Sequence, residues 1–303
     1  MNLARRAALA SVACAVLLGT LKAWAAWRTG SVAVLASLAD SVLDLVASLV
    51  TLAGVHWASQ PADHDHRFGH GKAEALAALF QVGVIAVSAF AILLRASQRL
   101  MESQTSVEAE YGIAVSLVAI VVTLALTRYQ RAVVRRTGSI AIGTDRIHYE
   151  SDLFLNSAVI VALALEGYAG IAGADAVFGI AIGLWLLFGA WRASVAAIDQ
   201  LMDKEWPEEK RQRFVEVAAR HPELIGLHDL RTRTSGVKDF VQFHIWMDPH
   251  MTVLESHDVV ERLEKELAEE FPGTEVLIHV DPEGQIDEPG NPLAETDLLK
   301  DTR

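Results

Sequence analysis

The 303-residue sequence has a single cysteine, Cys14, so no disulfide can close within one chain and no cysteine-based zinc ribbon can be built. It also lacks any basic excess. Net charge is −12, and all of it lies in the last third: from residue 201 onward 24 Asp and Glu face 12 Lys and Arg, whereas residues 1–200 hold 14 of each. An acidic, water-soluble C-terminal segment suits cationic partners and argues against nucleic acid, which selects the opposite sign. A His-Glu-x-x-His signature is missing as well, which weighs against a membrane metalloenzyme.

What the sequence does have is apolar length. It is 52% hydrophobic with a mean hydropathy of +0.29. Six apolar segments fall near residues 7–28, 32–58, 75–99, 111–134, 140–168 and 174–200, each long enough to cross a bilayer. The first reads as a retained span rather than a cleaved leader, because Lys22 interrupts it just before Ala-Trp-Ala-Ala at 23–26. Arg5 and Arg6, then Arg67 and Lys72, then Arg128, Arg131, Arg135 and Arg136 alternate with a connection carrying Glu102, Glu108 and Glu110. That alternation predicts a multi-pass membrane protein with both termini cytoplasmic.

Two of these spans carry charge where hydrocarbon should exclude it. Asp40 and Asp44 sit four residues apart in the second, on one helix face, and His148 and Asp152 repeat the spacing in the fifth. Ionisable groups at membrane depth cost several kcal/mol unless paired, which makes them functional candidates by default. Ser37, Ser41, Ser48 and Thr51 accompany the first pair, and Ser151, Asn156 and Ser157 the second, so both faces are expected to look inward. Six spans make these two helices antiparallel, and their four side chains would then form a tetrahedral oxygen-and-nitrogen site for a divalent cation.

The connection from Gln60 to Lys72 holds Asp63, His64, Asp65, His66 and His70 within eight residues, among turn-forming Pro61, Gly69 and Gly71. It reads as a second metal site or as a solvated polar loop. After Met202 the pattern becomes that of a soluble domain: a helix from 207 to 220, strands at 229–234, 241–247 and 275–280, and a helix over 252–270. That order is αββαβ, a ferredoxin-like two-layer α+β domain. It contains His228, His244, His257, His279 and Asp281, which on spacing alone are equally a metal site or scattered surface residues. The expected division is a transport unit over 1–203, a cytoplasmic domain over 204–283, and a disordered tail over 284–303 given its Pro, Gly and acidic content.

Asp40-Ser-Val-Leu-Asp44, Phe68-Gly-His-Gly-Lys72, Val133-Val-Arg-Arg-Thr137, His148-Tyr-Glu-Ser-Asp152, His228-Asp-Leu-Arg-Thr-Arg233 and Ile278-His-Val-Asp-Pro282 together resemble the cation diffusion facilitator family, in particular its bacterial zinc and ferrous-iron efflux pumps. The resemblance covers residues 1 to about 283. It implies a homodimeric, proton-coupled exporter of divalent cations in the bacterial inner membrane, with zinc as cargo and also as a structural or regulatory ion. By motif position it implies a transport site of Asp40, Asp44, His148 and Asp152, and a loop site of Asp63, His66 and His70. It further implies a cytoplasmic two-metal site of His228, His244, His257, His279 and bridging Asp281, and a pairing of Lys72 with Asp203. His64 and Asp65 depart from the subgroup's loop pattern, so which loop residues ligate stays open. A metal-gated channel or a membrane metal sensor with the same ligands is the alternative.

Overall fold

The computed structural model describes residues 2–29, 32–101, 110–169, 173–285 and 297–301. The acidic connection at Glu102 and Glu108, and most of the expected disordered tail, lie outside the described residues. The chain divides into two compact units, Met1–Ile198 and Asp199–Arg303.

Six long helices dominate the first part: α1 Leu3–Thr29, α2 Val32–Ala58, α3 Ala73–Met101, α4 Glu110–Thr137, α5 Ile140–Ala169 and α6 Ala174–Leu201. Five of them, all but α5, are long and apolar enough among the described residues to cross a membrane. At 30 residues α5 is the longest of the six, but Asp145, Arg146, His148, Glu150 and Asp152 crowd its first half. It packs against α2, α3 and α4, so its charges are shared with protein rather than offered to lipid. Large apolar side chains face outward instead, among them Trp24, Trp27, Val87, Phe90 and Val121. In water such a surface would be an aggregation hazard; against acyl chains it is at home.

The helices approach closely because their contact faces are made of small residues. Ala4, Ala7 and Ala8 of α1 meet Val55 of α2, Ala77 of α3, Val133 of α4 and Ala141 and Ile142 of α5, closing one end of the bundle. At Gly54 the approach is tightest: a Cβ there would stand 2.4 Å from the Ala77 Cβ and 3.1 Å from the Ala73 carbonyl oxygen. Gly54→Val should therefore force α2 and α3 apart and cost roughly 1–3 kcal/mol, as overpacking does. Thermal unfolding of the purified protein measures this, and an unchanged melting temperature would mean that the helices part there without cost.

The second unit is built from α7 Glu208–Ala218, β1 Gly226–Ser235, β2 Lys238–Met247, α8 Val253–Glu270 and β3 Thr274–Pro282, the αββαβ order read from the sequence. The sheet order is β1-β2-β3, antiparallel between β1 and β2 and parallel between β2 and β3. Along β2 the buried Val241, Phe243 and Ile245 face both helices, with Phe214, Leu263 and Leu267 opposite them, so Gln242, His244 and Trp246 emerge on the other face. Thr252 starts α8 with a reciprocal capping box to Glu255, which explains why that helix begins where it does. The end of the chain departs from the expected tail. Leu298–Asp301 form a 3-10 turn and Leu299 is buried in the domain core, because two adjacent leucines give this acidic segment an apolar anchor.

Candidate metal centres

Helices α2 and α5 bring Asp44, His148 and Asp152 together, with one ligand atom of each within 4.8 Å of the others. His148 Nε2 lies 2.9 Å from Asp44 Oδ1, and His148 is almost fully buried while Asp44 is partly open. Ser41, Ser48, Thr51 and Ser151 on the same faces are buried, as expected, while Asn156 and Ser157 return their side chains to the backbone carbonyls of Asp152 and Leu153. Asp40 differs from its three partners. It lies one helical turn before Asp44, about 6 Å along the axis, is exposed, and stands outside the three-residue cluster. Lys22, which sequence reasoning treated only as an interruption of α1, donates to Ser41 Oγ at 2.8 Å and so places an ammonium beside this face of α2. A lone lysine within an apolar run was the available signal.

In the α2–α3 connection the structure selects three of five candidates: Asp63, His66 and His70. Asp63 Oδ1 accepts from the backbone N–H groups of His66 at 2.7 Å and Asp65 at 3.0 Å, a turn that folds the loop onto its own carboxylate. Asp63 Oδ1 then sits 3.3 Å from His66 Nδ1 and Oδ2 3.2 Å from His70 Nε2. Gly69, at φ +81°, makes the reversal that returns His70 to the carboxylate. The backbone bond from His66 holds the Asp63 carboxyl below the usual carboxylate range, so it is ionised at neutral pH. His64 and Asp65 stand outside this cluster.

The third cluster is His228, His244 and Asp281 on the solvent-side face of the sheet. His228 pairs directly with His244 across β1 and β2, and His244 with His279 across β2 and β3, so three imidazoles stand in a row. Buried Asp281 serves all of them: Oδ2 is 2.9 Å from His244 Nδ1 and 3.3 Å from His228 Nε2, and Oδ1 is 3.2 Å from His279 Nε2. Two oxygens aimed at different imidazoles suit a carboxylate that bridges two ions. His257 lies apart from this row; with Asp281 it lines a cavity of about 550 Å³ between α8 and the ends of β2 and β3. A β-bulge after His228, with Asp229 at φ 49°, turns the Asp229 carboxylate to 3.8 Å from His244 Nε2. Strand alternation could not show that contribution. Asp203, expected to pair with Lys72, stands 3.7 Å from Arg233 within the second unit.

Buried carboxylate and imidazole clusters on membrane-spanning helices, joined to an acidic α+β domain with a cluster of the same chemistry, define a membrane protein that handles cations. Family profiles agree. That of the cation efflux transmembrane domain matches residues 8–202, and that of the cation efflux protein cytoplasmic domain matches residues 206–283. The chain is 44% identical over 281 residues to the cation-efflux pump FieF of Cronobacter sakazakii, covering 93% of each chain. It is 44% identical over 278 residues to FieF of Yersinia pestis, covering 92% of each. Among solved structures it resembles the metal-bound C-terminal domain of the CzcD transporter from Thermotoga maritima, with 28% identity, 27% of this chain and 99% of that one covered, and a TM-score of 0.25. The chain belongs to the cation efflux family, the cation diffusion facilitators, a family of multi-pass membrane transporters.

Proposed function

We propose that this protein exports divalent transition-metal cations, zinc foremost, from the cytoplasm in exchange for protons, as a homodimer in a bacterial inner membrane with both termini cytoplasmic. The observation that carries this reading is the Asp44, His148 and Asp152 cluster, held in the middle of two packed helices where only a cation can compensate it. Asp40, one turn nearer the open end, supplies the fourth ligand. Carboxylates gathered at low dielectric repel one another, so protons and metal compete for the same oxygens, and an arriving divalent cation expels what it replaces. A site that faces the two sides in turn then performs antiport by this competition alone. The buried alanine-rich closure beneath α2 and α5 favours a carrier over a channel, which needs both ends open at once.

The loop cluster of Asp63, His66 and His70 and the cytoplasmic set of His228, His244, His257, His279 and Asp281 bind further zinc as structural or regulatory ions. Mixed imidazole and carboxylate donors fit that metal. His279 is 58% exposed although its neighbour Asp281 is buried, and Leu277 beside it is 63% exposed, which leaves an apolar and half-ligated face for a second copy to cover.

Vesicles holding the purified protein, tested with zinc, cadmium, iron(II) and manganese, identify the cargo. Imidazole is a borderline ligand suited to zinc, whereas an all-carboxylate site is harder and favours manganese. His148→Asp should therefore lower the ratio of zinc to manganese transport. A constant ratio with both fluxes reduced would place selectivity elsewhere.

A further inference from the structure

Immediately beyond the Asp44, His148 and Asp152 cluster, toward the end where α2 finishes and α5 begins, lies a layer of buried polar side chains outside that cluster. Its hub is Asp145, which is fully buried. Oδ2 accepts from Ser11 Oγ of α1 at 2.6 Å and from Gln130 Nε2 of α4 at 2.7 Å, while Oδ1 accepts a longer 3.5 Å bond from Gln81 Nε2 of α3. Ser11, Gln81 and Gln130 are likewise fully buried, so one carboxylate on α5 ties three other helices to itself away from water. Beside it, Tyr149 of α5 donates to the Ser11 carbonyl at 3.0 Å and shares a 2.9 Å bond with Ser48 of α2. The next layer is the alanine-rich closure, and beyond that the hydroxyl of Ser139 donates to buried Glu74 at 2.6 Å. In the other direction the ligands open progressively: the His148 side chain is 4% exposed, that of Asp44 20%, and Asp40 lies exposed.

The donors around Asp145 spend their amides one-sidedly. Both glutamines turn Nε2 toward the carboxylate, and Gln81 Oε1 and Gln130 Oε1 are buried with no hydrogen-bond partner among the described residues. Each such oxygen carries a desolvation cost that an entering water would remove, whereas the bonds to a carboxylate are stronger than neutral ones. The closed arrangement is thus held by Asp145 against a standing cost that favours opening, the balance expected of a two-state element.

We propose that Asp145 is the latch of the metal path. Its bonds to Ser11, Gln81 and Gln130 keep α1, α3 and α4 closed over one side of the metal site, and their rupture opens that side. It acts on the metal ligands through helix position and is a positioning residue; its effect on flux rests on the transport reading above. The chain carries its own reporter, because Cys14 is the only cysteine, lies one turn from Ser11 on α1, and is buried against Leu126 and Tyr149 beside the latch.

The test is the rate at which a water-soluble maleimide labels Cys14 in the full-length protein in vesicles, with Cys14→Ser as the blank. Asp145→Asn keeps the shape but loses the charge and sets an amide N–H against the donors, so labelling should quicken by about tenfold or more. Zinc affinity of the Asp44 cluster should stay within about twofold while turnover falls, a split that general loosening does not produce. Ser11→Ala, which removes one donor and leaves both orphaned oxygens in place, should shift labelling in the same direction and covers the case in which Asp145→Asn does not fold. Unchanged Cys14 labelling in both variants overturns the proposal. So does faster labelling accompanied by lost zinc binding, which is plain unfolding. Wild-type vesicles that carry no zinc would refute the transport reading and leave the labelling comparison to decide the latch.

Discussion

Asp44→Ala is expected to stop the zinc transport proposed for this protein. The substitution removes the carboxylate 2.9 Å from His148 Nε2 and leaves a buried imidazole and Asp152 as the remnants of the cluster. Loss of a partner to a metal ligand already costs about 10–100-fold in affinity, so loss of a ligand itself should cost at least about a hundredfold in flux. The fold should survive, because Asp44 is partly open and its bond to His148 is one α2–α5 link apart from the alanine-rich closure and the buried bonds of Asp145. The loop and cytoplasmic clusters should still bind zinc, since none of their residues is touched. Flux in vesicles and total zinc bound per chain by the same preparation check both statements. Wild-type flux in the variant would remove this cluster from the transport path.

Asp281→Ala has the second large effect, and it lies in the soluble domain. One carboxylate there meets His228, His244 and His279 at 2.9–3.3 Å, so its removal dismantles the whole row at once. Zinc should no longer stabilise the domain. An ion that binds only the folded state adds about 2.7 kcal/mol at a hundred times its dissociation constant. That increment, seen as a zinc-dependent rise in melting temperature of the wild type, should vanish in the variant, and the self-association proposed above should weaken with it. Binding at the Asp44 cluster should be unaffected. An equal zinc-dependent rise in both proteins would exclude Asp281 as a ligand.

How much was legible in the sequence differs between the two units. Apolar length and the i, i+4 spacing of Asp44 with Asp40 and of Asp152 with His148 pointed to α2 and α5, because helical periodicity alone puts such residues on one face. Periodicity does not fix depth, and so it could not show that Asp40 is exposed while Asp44 joins the cluster. Asp145 was passed over for a related reason. It lies three residues before His148, but its donors Ser11, Gln81 and Gln130 come from three other helices, and only packing reveals them. In the second unit, strand parity placed His244 off the core correctly, while the bulge at Asp229 breaks the alternation on which parity rests. His257 illustrates a further limit: its helix was readable, but its place outside the His228, His244 and Asp281 cluster depends on where α8 lies over the sheet. The paired leucines at 298 and 299 were outweighed by the acidic composition around them, although one buried leucine and a partly buried neighbour suffice to anchor a turn.

Exchange of metal for protons is tested most directly in vesicles with a fixed pH difference and zinc present at higher concentration on the destination side. Zinc should accumulate uphill when protons run the opposite way, and the accumulation should collapse when an ionophore removes the pH difference. Zinc that only follows its own gradient, at the same rate whatever the proton gradient, would contradict antiport and leave a facilitated pathway in its place.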